Sequence, residues 1–426
     1  MRLSRAWSTP VGMLYSAHMR PRRLIALVLV SLVVLFFIAV AVRRSQRDEE
    51  PGPSATPAAT PTVSDQRTPT AGDTPSAGET PEAEPVASIN VITEEGGRVD
   101  WSDKLDLIAF DRIGDDGFTD VWTMKPDGSE QQCITCDVAA LPGKHMGNPA
   151  WHPSGDYIVF QAEKAESQVA TQFAAPGRGV NNDLWFITRD ARSSSQLTDL
   201  PLGRAVLHPH FSSDGSKLLW SEMLKPPPGG ESLGGEWRIN LSDFVVEGGQ
   251  ATLQNTQSLQ PNGPVFYETH GFSSDGSKII FTSTPESGRP VFAFDIYTVD
   301  IGSGQLANLT GTSDQWDEHA HYAPSGDRIT WMSSSDCGCD PGRLADLRTD
   351  LWIMNADGSA KTRLTHFSDS AFPERLGRKV LVGDAAWSAD GSRLVAFLIV
   401  DRGLLDFLNV TRNSERIAVI QFAEPQ

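Results

Sequence analysis

Residues 211–220 read FSSDGSKLLW, and residues 272–281 repeat them almost letter for letter as FSSDGSKIIF. In both, an aromatic side chain opens the stretch and another closes it nine positions later, with an Asp-Gly pair between. The pattern returns as WHPSGDYIVF (151–160) and YAPSGDRITW (322–331), where Gly precedes Asp. WSDKLDLIAF (101–110) keeps the aromatics without the Gly, and WSADGSRLVAF (387–397) sets its second aromatic one place late. Self-similarity at this spacing marks a repeat architecture. The Asp-Gly or Ser-Gly pair supplies the positive φ of a tight turn and the apolar flanks supply two strand ends, so each copy reads as a β-hairpin.

A second hairpin follows in most copies. Its first strand is DVWTM (120–124), DLWFI (183–187), DIYTV (295–299) or DLWIM (350–354). Asp127-Gly128 and Asp357-Gly358 turn the chain, and a short strand follows through Cys133-Ile134-Thr135 or Arg363-Leu364-Thr365. Each repeat thus predicts four antiparallel strands, a to d. One such sheet cannot hide both faces; six set radially can, with aromatics in the wedges between them. The expected fold is all-β: a six-bladed β-propeller of four-stranded antiparallel blades over residues 87–426. Residues 416–422 are expected to be the fourth strand of the last repeat, with residues 89–93 as a clasp beside it.

WSADGS (387–392) and DLWIMNADG (350–358) resemble the repeat of the TolB-type propellers over roughly residues 98–422. The resemblance implies the fold. It leaves function open, because that repeat serves scaffolds, enzymes and peptidase gating domains. TolB carries an α/β domain before its propeller; here a different amino-terminal region stands in that place.

Residues 24–42, Leu24 through Val42, are apolar except for Ser31. At ~1.5 Å per residue they would cross a hydrocarbon core. Arg2, Arg5, Arg20, Arg22 and Arg23 precede them, whereas Arg43, Arg44 and Arg47 are followed by three acids. That asymmetry predicts a signal-anchor with residues 1–23 cytoplasmic and the propeller outside, in the periplasmic or extracellular space. A cleaved signal peptide is the rival, given Ala39-Val40-Ala41; both readings export the rest. Residues 43–86 are rich in Pro, Thr and Ala and read as a disordered linker.

Residues 1–47 hold eight Arg and no acid, which leaves 28 bases against 54 acids in the remainder. So acidic a body repels phosphate backbones and argues against nucleic-acid binding. The four cysteines form local pairs, Cys133/Cys136 and Cys337/Cys339. Disulfides suit an exported chain, with free thiols or a metal site as alternatives. The Asp-Gly turns lack the further oxygen ligands of a calcium loop. No Gly-x-Ser-x-Gly elbow is present, which removes the serine-peptidase reading.

Five histidines precede the first aromatic of a repeat: His208 and His210, His270, His319 and His321. They fall on strand a, the innermost, which lines a propeller's channel. Alternation puts His208 with His210, and His319 with His321, on one face; His270 is out of register unless a bulge re-aims it. Glu268, Gln315, Asp317 and Glu318 lie near them as candidate binding groups. The longest insertions, residues 162–182, 222–235 and 333–349, connect strands b and c and are expected to share a channel mouth with the histidines. These imidazoles and carboxylates suit manganese or zinc; alternatively they are polar channel lining. The His-x-His pairs resemble the oligogalacturonate lyases, propellers with a manganese site of His and Gln. There Gln lies three residues before His-x-His, whereas Gln315 is four before His319.

The leading expectation is a non-enzymatic scaffold without a cofactor, binding a protein or an envelope glycan. The alternative is a divalent-metal-dependent lyase or hydrolase on an acidic saccharide.

Overall fold

The chain enters through β1 (Val86–Thr93) and then lays down five complete meanders. The first is β2 (Val99–Trp101), β3 (Ile108–Ile113), β4 (Thr119–Met124) and β5 (Gln132–Cys133). The second is β6 (Met146–Trp151), β7 (Tyr157–Glu163), β8 (Asn182–Thr188) and β9 (Ser194–Gln196), with a one-turn helix, α1 (Thr171–Ala174), between β7 and β8. The third is β10 (Ala205–Phe211), β11 (Lys217–Lys225), β12 (Glu236–Glu247) and β13 (Gln250–Leu259). The fourth is β14 (Tyr267–Phe272), β15 (Lys278–Ser283), β16 (Asp295–Asp300) and β17 (Leu306–Asn308). The fifth is β18 (Asp317–Tyr322), β19 (Arg328–Ser333), β20 (Asp350–Asn355) and β21 (Thr362–Arg363). The sixth sheet orders β22 (Lys379–Trp387), β23 (Arg393–Asp401), β24 (Glu415–Phe422) and, outermost, β1.

The structure is a computed structural model. It describes residues 86–227, 234–284, 289–290, 292–343, 345–401, 415–424 and 426, all within the unit Thr80–Gln426. The segments expected to be a cytoplasmic tail, a signal-anchor and a linker fall in residues 1–85, outside the described residues. Among the described residues no helix is long and apolar enough to cross a membrane.

The innermost strands β2, β6, β10, β14, β18 and β22 contact one another in sequence, and β22 contacts β2, so the ring closes. Closure corrects one expectation. The last repeat supplies three strands, with residues 416–422 as its third, and the clasp at residues 89–93 is the fourth strand itself. Ile89 pairs with Ile420 and Val91 with Ala418. The insertion at 222–235 is also partly strand, since β11 runs to Lys225 and β12 starts at Glu236.

The repeat letters have distinct jobs. The second aromatics Phe110, Phe160, Trp220, Phe281 and Trp331 are buried between blades. Burying such a ring contributes roughly 1.5–3 kcal/mol. In the turns, Asp214 accepts from Ser212 Oγ at 2.7 Å and Ser216 N–H at 2.9 Å, while Gly215 takes φ +73. The Asp that starts strand c pins strand d. Asp350 accepts from Thr365 Oγ1 at 3.0 Å and Phe367 N–H at 2.8 Å, and Asp183 from Thr198 Oγ1 at 3.0 Å and Leu200 N–H at 2.9 Å. Cys133 is disulfide-bonded to Cys136, and Cys337 to Cys339.

Candidate functional site

Each inner strand except β2 breaks its ladder with a β-bulge, and the bulges aim the side chains of the channel. In β6, β10 and β18 the register shifts between Gly147 and Ala150, Leu207 and His210, and Glu318 and His321. The residues in the left-handed conformation there are Asn148 (φ 52), His208 (φ 50) and His319 (φ 52). In β14 the shift falls between Thr269 and Gly271, one place nearer the aromatic, and His270 occupies it. This is why a histidine out of register in the sequence joins the others. In β22 the shift falls at Gly383, one place farther away. A Cβ on Gly383 would sit 2.5 Å from the Phe397 ring, the same aromatic that stands one place late in its repeat.

The bulges set two tiers along the axis. In the deep tier His208, His270 and His319 form a near-equilateral triangle, with ring centroids 5.5, 5.8 and 5.4 Å apart. Glu268 joins them: its Oε1 lies 2.7 Å from His208 Nε2 and 3.8 Å from His319 Nδ1. All four side chains are buried. Glu318 flanks the triangle, with Oε2 3.6 Å from His319 Nε2 and accepting from Trp316 Nε1–H at 2.8 Å. In the outer tier His210 and His321 face each other, centroids 5.7 Å apart. His321 Nε2 is 3.3 Å from Asp384 Oδ1, and His210 Nε2 is 3.2 Å from the Thr269 carbonyl. A bulge lies inside each pair, yet His208 with His210 and His319 with His321 still share the channel face, one tier apart.

Burial governs the ionisation. It drives His270 and His319 well below the ordinary imidazole value, aided by neighbouring His319 for the first and by Arg98 for the second. His210 falls to about 3 for the same reason, with His321 and His208 adding to it. These imidazoles are neutral, the form that ligates metals. Burial, then the charge of Glu268, holds Glu318 well above the carboxylate range. Burial would raise Glu268 too, but His208 beside it outweighs that and lowers it. The pair thus shares one negative charge.

Two candidates from the sequence lie elsewhere. Gln315 accepts a hydrogen bond from Ser335 Oγ. Asp317 accepts from Trp331 Nε1–H at 3.0 Å and Thr312 Oγ1 at 2.8 Å, holding the blade rather than the channel. Three channel residues were missed: Arg98, Asn148 and Asp384. Each stands three places before the first aromatic of its repeat, as His208 and His319 do, so the register carried the signal. Arg98 Nη1–H reaches the Gly383 carbonyl at 3.2 Å, and Asn148 Nδ2–H reaches Gln161 Oε1 at 3.2 Å.

Among the described residues, the channel end seen to open is not the one the long b–c insertions were expected to share. The loop after β7 lies over the b–c side: a Cβ on Gly177 would meet the Arg98 guanidinium at 2.2 Å, and one on Gly147 would meet Pro176 at 2.4 Å. The cavity that reaches the histidines, of about 440 Å³, opens between the a–b turns. His210 and His321 lie in its lining. Trp101, Trp151, Phe211, Phe272, Tyr322 and Trp387, the first aromatic of every repeat, ring it. Asp100 and Asp103 contribute carboxyls; no Lys or Arg is among the described lining residues.

No family model and no curated relative matches the chain. Solved structures resemble it in fold. The putative TolB of Agrobacterium tumefaciens is 15% identical over 79% of this chain and 97% of that one, with a TM-score of 0.47. TolB of Acinetobacter baumannii is 15% identical, with a TM-score of 0.41, over 77% of this chain but only 63% of its own length. The chain folds as a six-bladed β-propeller. An oligogalacturonate lyase in complex with manganese is 12% identical over 79% of this chain and 91% of that one, at a TM-score of 0.43. At such identities no residue role or activity transfers.

Proposed function

We propose that this protein is a binding module tethered outside the membrane by residues 24–42, whose axial cavity receives a group from a partner protein or an envelope glycan. The observation that carries this reading is the cavity lining: one aromatic from each of six blades, serine hydroxyls from the turns, and carboxyls without basic side chains. Its volume, about 440 Å³, suits one sugar unit or one or two side chains. Aromatic rims suit sugar faces and cationic or neutral side chains.

The test is tryptophan-fluorescence titration of the full chain in detergent with muropeptides, lysine-containing peptides and polygalacturonate. Saturable binding of either of the first two, weakened at least tenfold by Phe211→Ala or Asp103→Asn, supports the reading. Binding and turnover of polygalacturonate, with release of unsaturated product, replaces it with the lyase.

A further inference from the structure

Beneath that cavity, the deep tier has properties that ligand binding at the mouth does not use. His208 Nδ1, His270 Nδ1 and His319 Nδ1 are buried without a hydrogen-bond partner among the described residues. An unsatisfied buried polar atom is destabilising. His208 Nε2 lies only 2.7 Å from Glu268 Oε1, yet is misaligned for a hydrogen bond. Two of the three histidines also hold positive φ, a strained conformation that concentrates at ligand-binding sites.

We propose that His208, His270, His319 and Glu268 form a buried three-histidine, one-carboxylate site for a divalent first-row transition cation, zinc or manganese. One donor atom from each lies within 4.8 Å of the others. A metal ~2.1 Å from a ring nitrogen sits ~3.2 Å from the ring centre, so three such ligands place their centroids roughly 5.2–5.5 Å apart. The triangle measures 5.4–5.8 Å; small side-chain rotations bring the donors onto the ion. The supporting shell fits as well. His270 Nε2 is 2.7 Å from Thr282 Oγ1, which leaves Nδ1 to ligate, and Glu318 stands behind His319 Nε2. Ligating histidines are oriented in this way by a partner on the other nitrogen. Arg98 opposes a cation electrostatically; Glu268 and Asp384 favour it. With four protein ligands and a buried position the site is a closed one, which pins blades three, four and five at the axis. It does not need His210, His321 or Gln315; its fourth ligand is the carboxylate of Glu268.

The full chain, purified in detergent without added metal and with 0.1 mM zinc or manganese, is assayed for metal by mass spectrometry and for thermal unfolding. One equivalent of metal per chain is expected, with a Tm that falls on chelation and returns on reloading. In cobalt-loaded protein, visible absorption bands of a tetrahedral nitrogen-oxygen site are expected. His270→Ala and Glu268→Gln abolish both; His210→Ala retains them. Thr282→Val, which leaves the ligands in place, weakens affinity about 10–100-fold. Less than a tenth of an equivalent after reloading, with no Tm shift from either metal, overturns the proposal whether or not the variants fold. So does full occupancy in Glu268→Gln and His270→Ala. Neither readout depends on what binds at the mouth.

Discussion

The two halves of the channel wall are built on the same repeat and solve the same problem differently. In blades one, two and six, the position three before the aromatic carries Arg98, Asn148 and Asp384, and each finds a protein partner. Asn148 bonds Gln161, Arg98 bonds the Gly383 carbonyl, and Asp384 accepts from Ala385 N–H at 2.9 Å. In blades three, four and five the bulges carry histidines whose Nδ1 atoms are left unpaired. On one side these three polar groups are met from within the protein; on the other, three imidazole nitrogens stay open at the positions the proposed cation would fill. The contrast shows that channel polarity alone does not mark a site; the unpaired donors do.

The difference is open to attack from both sides. Asp384→Ala removes the buried carboxylate contacted by His321 Nε2 and Ala385 N–H, and each buried polar atom left without a partner costs about 1–3 kcal/mol. Chemical denaturation should show that loss in metal-free and metal-loaded protein alike. Asn148→Val forces a β-branched residue into φ 52 and removes the Gln161 bond, with an expected cost of roughly 2–3 kcal/mol. His319→Asn keeps a residue that tolerates positive φ. In chelated protein it should cost under ~1 kcal/mol, since its polar contacts are all 3.6 Å or longer. If it costs as much as Asn148→Val there, the two halves are alike and the comparison breaks.

The smallest effect expected is a pH slope. Asp111 accepts from Asn148 N–H at 2.9 Å, and burial, with Glu415 nearby, pushes its carboxyl up to about 7. A folded-state value above the unfolded one means the native protein holds more protons through that window. Stability therefore falls as pH rises from about 4 to about 7. Asp111→Asn should flatten that part of the profile, read as denaturation midpoints against pH.

The architecture was legible because aromatic spacing and Asp-Gly turns are local. The ring closure was half legible: residues 89–93 looked like a strand, but only the fold shows that the last repeat ends on its third. The five histidines were visible from their place before the aromatics. What the sequence could not show is where a strand bulges, and a single extra residue decides which side chain enters the channel. That is why His270 looked misplaced, and why Gln315 and Asp317, close in sequence, turn to Ser335 and Trp331 instead. Arg98, Asn148 and Asp384 were within reach of the register but carry no metal-ligand signature as a set. The position of the mouth depended on the loop holding Pro176 and Gly177, whose path no periodicity encodes.

The measurement that bears most directly on the account is an anomalous difference map, collected above and below the zinc and manganese absorption edges, from crystals of the metal-loaded protein. The account predicts one peak on the channel axis within bonding distance of His208, His270, His319 and Glu268. A map flat at that point, or a peak held by His210 and His321 at the cavity floor, would contradict it.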